Sequence, residues 1–502
     1  MRKIYVIGVG GSGAKCIETV VFLHALGVYG NSRLGVLLID ADAANGNSQR
    51  TQINLQNTLD CHRLLKPHFE HTSGFMTGEF ENYGTWNPLG NVVHNSNLSR
   101  IFNRPLLKAS AGPLAQLFDV LYSPDEQAAD LAVGFRGRPP IGSAVMSRLD
   151  LENTQATSLS DNWQKFFNHI QSDCGGGDKV AIHLFGSIFG GTGASGVPTL
   201  AALISNQLRA NQIRDSVHLN ASLLLPYFGF DRPDDGDQTV FAETSFFALN
   251  TQAALQYLTE HSQGIFDTVY LIGNQERKKY EPSTGGVQQQ NDAHFVELYA
   301  GLAINNGFEQ PIEKTQAAYI SRSSTDRLLW KDLPDSDLVK ERLSKGVRFT
   351  YSWYYNFALE LAAAQRLGPK KFAKGAPWFP RFFSLKKTGE ENLPAFSEEN
   401  QKRQADALEQ WARSFLIWAK QIAQSHHQGE QLFRLQSLVQ ALENSNTQRQ
   451  YGEKLGELVI ERNQSAKAEQ QDRLDTVKNR LADQGTKGHG VLGLAHELFT
   501  LL

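Results

Sequence analysis

Residues 3–15 read Lys3-Ile4-Tyr5-Val6-Ile7-Gly8-Val9-Gly10-Gly11-Ser12-Gly13-Ala14-Lys15. An apolar run of β-formers enters a glycine cluster, and amphipathic spacing resumes from Ala14 to Leu26. The pattern predicts a buried strand over 3–8, a tight turn and a helix. Gly8 to Gly13 satisfies G-x-G-x-x-G. Glycines tolerate positive φ and let a phosphate come close, and a helix start offers unpaired N–H groups at the positive end of its dipole. Alone, the motif also fits a dinucleotide domain with Asp40 or Asp42 as the ribose acid, or a turn that binds nothing.

Working outward, Leu34 to Ile39 is a second apolar run that ends in Asp40-Ala41-Asp42. Lys179 to Phe185 is a third, followed by Gly186-Ser187-Ile188-Phe189-Gly190-Gly191-Thr192-Gly193-Ala194-Ser195-Gly196 and a helix over 197–210. Strands over 217–225 and 268–272 alternate with helices over 160–172, 239–260 and 291–304. The expected class is α/β, a doubly wound and mostly parallel sheet, with ligands at the carboxyl ends of the strands. A dinucleotide fold needs one glycine loop. Two loops facing each other suggest a triphosphate gripped from both sides, with Thr192 and Ser195 adding hydroxyls for phosphate or magnesium. No Gly-Lys-Ser/Thr closes the second loop, so it is not a Walker loop. Residues 45–130, rich in Asn, Gln and His, read as an insertion with some helix.

Phe189 to Pro198 resembles the tubulin/FtsZ signature GGGTG(S/T)G, with Phe189 in place of its first glycine. Gly8 to Lys15 is similar to the family's GVGGGGGNA opening, and Asp40-Ala41-Asp42-Ala43 stands where FtsZ has N-T-D-A. Gly137-Arg138-Pro139-Pro140-Ile141-Gly142 resembles the γ-phosphate loop GANPEVG, one residue shorter. Leu225 to Phe230, Asp267 to Asn274 and Asn291-Asp292 resemble the family's later elements in the same order. The resemblance implies a tubulin/FtsZ-like nucleotide-binding domain over 1–310 and GTP or GDP as ligand, with Mg²⁺ a candidate counter-ion. Its implied contacts are Gly10, Gly11, Ser12, Gly13, Lys15, Asp40, Asp42, Gly137, Arg138, Gly142, Gly190, Gly191, Thr192, Gly193, Ala194 and Ser195 for the phosphates and sugar. For the base they are Asn274, Asn291, Asp292 and Phe295, with the Asp292 carboxylate accepting from guanine N1–H and N2–H₂.

The family's hydrolytic acids act on the next subunit from the loop after the central helix. Gly307 and Gln310 stand where they would fall, so Glu309, Asp335 and Asp337 are the substitutes, and hydrolysis is expected to be slow or absent. The resemblance also implies head-to-tail self-association. The alternative is a non-filamentous switch or scaffold, of the kind that divergent bacterial tubulin-like proteins suit in membrane-remodelling or anti-phage defence modules.

The chain has 502 residues, 20 % charged, with a net charge of -3. That near balance argues against coating nucleic acid by charge, and no sequence-specific nucleic-acid partner is expected. Three cysteines without a C-x-x-C pair suggest neither zinc knuckle nor disulfide framework and fit a reducing cytoplasm. The opening does not read as a secretory signal, and no apolar run is long enough to span a bilayer. Past residue 340 the spacing turns helical, giving a connecting region over 311–394 and a helical region over 395–502. Ser425 to Leu481 reads as long surface helices. Lys370 to Lys387 interleaves aromatic and basic residues, which suits peripheral contact with anionic lipid, single-stranded nucleic acid, or a buried connector with lysines reaching water. Residues 489–502 read as a docking helix for a protein partner or as an element tucked against the core.

Overall fold

A computed structural model describes the chain except residues 70–73, 91–95, 111, 150–160, 231–242, 282–284, 310–326, 387, 391, 436–453, 461–472 and 484–487. Strands β1 (Arg2–Val9), β2 (Ser32–Ile39), β3 (Glu79–Trp86), β4 (Lys179–Ser187), β5 (Val217–Leu224) and β7 (Thr268–Ile272) form one parallel sheet in the order β3-β2-β1-β4-β5-β7. The short strands β6 (Phe228–Phe230) and β8 (Lys278–Tyr280) pair beside it. Successive side chains of β1 enter opposite layers: Ile4 and Val6 face one core, Tyr5, Ile7 and Val9 the other. A sheet covered on both faces needs near-continuous apolar strands, which is what β1, β2 and β4 supply.

Helix α1 (Gly10–Ala25), helix α2 (Gly46–Phe69) and the Phe295–Glu309 helix cover one face. The helices Asp161–Gly175 and Gly191–Ala210 cover the other, packing Trp163, Phe166, Leu200 and Ile204 on it. Strand order reverses between β1 and β4. In open parallel sheets such a switch point is where ligands bind, outside the carboxyl ends of the two strands. Both glycine loops leave the sheet there.

Several expectations change. The stretch read as an insertion over 45–130 contributes α2 and β3 to the main layers. β3 was hidden because it is an edge strand, Glu-Phe-Glu-Asn-Tyr-Gly-Thr-Trp, pairing on one side and polar on its outer face. The central helix runs to Glu309 instead of ending near Ile304: Asn305 reaches the Val28 carbonyl with its amide at 3.3 Å and continues the helix. Gln310 lies outside the described residues. The helix expected from Thr239 begins, among described residues, as a 3₁₀ turn at Thr244 and runs as Phe247–His261.

The C-terminal helices are not a separate layer. Ser336–Ser352 passes through a π-helical turn at Trp353–Phe357 into Ala358–Leu367, and Glu399–Ala423 lies against α1 and α2. Phe22 of α1 packs its ring 5.5 Å from those of Phe415 and Trp418, and Trp418 Nε1 donates to Thr19 Oγ1 at 3.1 Å. In the 370–387 segment Trp378, Phe379, Phe382 and Phe383 are buried in this same core while Lys370 and Lys371 are exposed. Rings packed inside in this way are not free to insert into lipid or stack on bases, which favours the buried connector with lysines reaching water; Lys387 lies outside the described residues. Gly490–Leu501 is likewise tucked in, with Phe499 stacked on Phe75 at 4.1 Å, so its apolar face is not free to dock a partner. Of the stretch read as long surface helices from Ser425 to Leu481, residues 436–453 and 461–472 lie outside the described residues; the rest holds isolated bridges, a 3₁₀ turn at Leu455–Leu458 and the Leu474–Asp483 helix. No helix of the described residues is long and apolar enough to cross a membrane.

Candidate functional site

At the switch point the two glycine loops meet. Gly10 has φ +70°, and a Cβ added to it would stand 3.0 Å from the Thr192 Cβ. At Gly193 an added Cβ would collide with the Ser187 backbone, so β4 can turn into its helix only with glycine there. Helix α1 starts at Gly10 and the second helix at Gly191, and neither start has a side-chain cap or an acidic residue in its first turn. A helix start leaves several backbone N–H groups without partners. Here two such starts open onto one cleft, and together they form a polar, partly positive wall suited to an anion. The space between the two loops, its solvent-open mouth included, is about 730 Å³.

Of the expected phosphate and sugar contacts, Gly10, Gly11, Ser12, Asp40, Asp42, Gly137, Gly190, Gly191, Thr192 and Gly193 line the cleft. Gly13, Gly142, Ala194 and Ser195 do not. They hold the loops together: Gly142 lies against Ser195, whose hydroxyl donates to the Gly191 carbonyl at 2.8 Å inside its own helix. Arg138 also turns away, lying over the Phe246 ring at 4.7 Å and 3.5 Å from Glu243.

Lys15 is the clearest correction. Its ammonium is buried, 2.6 Å from Glu297 Oε1. Tyr227 donates to the same oxygen at 2.6 Å, and the His294 backbone N–H donates to Glu297 Oε2 at 2.7 Å. The pair joins α1 to the Phe295–Glu309 helix, and Lys15 is not among the residues lining the cleft.

The cleft floor is acidic and tightly tied. Ser48 donates its hydroxyl to Asp40 Oδ2 at 2.8 Å, and the Asp42 N–H donates to Asp40 Oδ1 at 3.1 Å. Asp42 accepts from the Ala44 and Gly286 N–H groups at 3.0 and 2.6 Å. Burial pushes the Asp40 carboxyl up to about 7 and outweighs its hydrogen bonds; burial raises Asp42 as well. A divalent cation beside them would favour their charged forms. Opposite, Phe189, Phe228, Phe230 and Phe247 form an aromatic wall with ring separations from 4.8 to 6.1 Å.

The four expected base contacts are not at the cleft. Asp292 pairs with Lys278 at 3.0 Å and accepts from the Gln421 amide at 3.0 Å. The Asn291 backbone N–H donates to Asn47 Oδ1 at 2.9 Å, the Asn274 amide donates to the Glu276 carbonyl at 2.8 Å, and Phe295 is buried in the core. Sequence reasoning missed Arg136, Asn45 and Gln289, which do line the cleft. Only Arg136 carried a signal, as a cation within a glycine loop; its φ of +48° marks a constrained turn. Asp335 and Asp337 border a different hollow with Arg2, Val28 and Gly30. That hollow is at the start of β1, where Arg2 stands seven residues before Val9 at the cleft, or ~23 Å at a rise of ~3.3 Å each. Neither acid can reach the cleft of its own chain. Glu309 ends its helix, and no more is described of it.

The glycine cradle and paired helix starts therefore fit a run of phosphates, whereas the residues expected to read guanine are engaged elsewhere. No protein-family model and no curated protein matches the chain. Among solved structures it is similar to CetZ from Methanosaeta thermophila, at 12 % identity over 61 % of this chain and 52 % of that one, with a TM-score of 0.25. It is similar to GDP-bound monomeric CetZ1 from Haloferax volcanii at 14 % identity, over 54 % of this chain and 51 % of that one, TM-score 0.26. It is also similar to a point mutant of FtsZ from M. jannaschii at 14 % identity, over 54 % of this chain and 46 % of that one, TM-score 0.21. The chain spans about half the length of each. The strand order and the loops, not these scores, carry the fold.

Proposed function

We propose that the cleft binds a guanine nucleotide, GTP or GDP, with its phosphates on the Gly10–Ser12 and Gly190–Gly193 turns, and that the chain self-associates head to tail. The supporting observation is the pair of uncapped helix starts facing one cleft at the switch point. A single-loop dinucleotide site would leave the second start without a ligand. Guanine itself comes from the family resemblance. The acidic hollow of Asp335 and Asp337 at the opposite end of the sheet supports head-to-tail stacking, since it could approach only a neighbour's cleft. Hydrolysis through these acids or Glu309 is slow or absent on this reading, with Mg²⁺ as counter-ion at the acidic floor and a cytoplasmic setting.

Denaturing extraction of the purified chain followed by chromatography should release GDP or GTP. Recovery of NAD alone, or of no nucleotide together with no GTP binding, overturns the reading. Pelleting with GTP and magnesium tests assembly; a chain that stays monomeric favours the switch or scaffold instead.

A further inference from the structure

Among the described residues, one group of side chains has the donor set and spacing of a metal site: Glu276, His426 and His427, whose ligand atoms all lie within 4.8 Å of one another. Glu276 stands in the loop between β7 and β8, and the two histidines follow the Glu399–Ala423 helix. His427 Nδ1 is 2.5 Å and His426 Nε2 3.8 Å from the same oxygen, Glu276 Oε2. The rings are 4.6 Å apart. A single carboxylate balances one imidazolium, and two facing imidazoliums would repel each other. A divalent cation at the centre satisfies all three groups together.

We propose that Glu276, His426 and His427 bind a borderline-soft divalent cation, Zn²⁺ by donor set, with water completing the tetrahedron on the exposed His427 side. Two nitrogens and one carboxylate oxygen, each ~2.0–2.2 Å from the ion, form a familiar open zinc set. The ligand atoms would then stand ~3.4 Å apart, so the 2.5 Å contact opens and the 3.8 Å contact closes by under an ångström, while the two imidazole nitrogens, within 4.8 Å of each other, close by ~1.4 Å at most. His426 Nδ1 now accepts from the Gln428 N–H at 3.2 Å. Ligation through Nε2 moves the ring proton to Nδ1 and gives up that bond, which weakens the affinity.

The site would staple two parts of the fold. Asn274 holds the Glu276 carbonyl, and Gln421, one turn before His426, holds Asp292. The inference does not depend on the nucleotide reading.

The test is calorimetric titration of the EDTA-treated, dialysed full chain with ZnCl₂, with CoCl₂ absorption as a second readout. One saturable equivalent, a tetrahedral Co²⁺ band and a raised melting temperature are expected. Glu276→Gln and His427→Ala should each weaken binding at least tenfold. Both side chains are about half exposed, at 42 % and 55 %, so the metal-free melting temperature should hold; His427→Gln replaces a variant that melts early. No saturable binding, or binding that neither substitution changes, overturns the proposal, the latter placing the metal on other histidines.

Discussion

The two sides of helix α1 differ in a way that explains the site. At its start, Gly10, Gly11 and Ser12 offer backbone N–H groups to an open cleft without a capping side chain. One turn later every charge is saturated: Lys15 by Glu297, Glu18 by Arg50 at 2.9 Å and by Asn54. The side toward the ligand is backbone, and the side chains are spent on packing. Ligand affinity and stability should therefore separate when each side is mutated.

The largest effect should come from the saturated side. Lys15→Met leaves Glu297 charged and buried, which should cost about 3–5 kcal/mol, and Lys15→Met with Glu297→Gln should recover most of it. Chemical denaturation of the three proteins measures this. If the double mutant is no more stable than the single, the pair is not the unit described.

On the open side, Gly11→Asp should weaken nucleotide binding about 100-fold, or ~2.7 kcal/mol, with little change in melting temperature. The atoms nearest an added Cβ there are the amide ends of Asn45 and Asn47, at 3.0 to 3.3 Å, so the fold can yield while a carboxylate enters the phosphate path. Gly191 is a poorer probe, because a side chain there meets the Phe135 backbone at 3.0 Å.

The acidic floor gives the smallest shift. Asp40 titrates near 7 when folded, well above an unfolded aspartate. The folded state thus holds a proton that the unfolded state has lost, and stability falls as pH rises from about 4 to 7, then levels. Asp40→Asn should remove that slope. A wild-type stability that is flat between pH 5 and 7 would contradict it.

The backbone half of the site was legible because glycines between a buried strand and a helix leave few geometries. The side-chain half was not. Which face of α1 Lys15 joins depends on the distant Phe295–Glu309 helix, and no local pattern reports that. Asp292 was assigned by motif, yet Gln421, 129 positions away, holds it. Edge strand β3 lacked a two-sided apolar signal, and whether Phe382 and Phe383 faced a partner or a buried connector turned on C-terminal helices that share the main core.

Amide hydrogen exchange of the chain with and without a non-hydrolysable GTP analogue and magnesium addresses the central claim. Protection should rise together over residues 10–13 and 190–194. Protection confined to the first turn, or gained at neither, would contradict a ligand held between two helix starts.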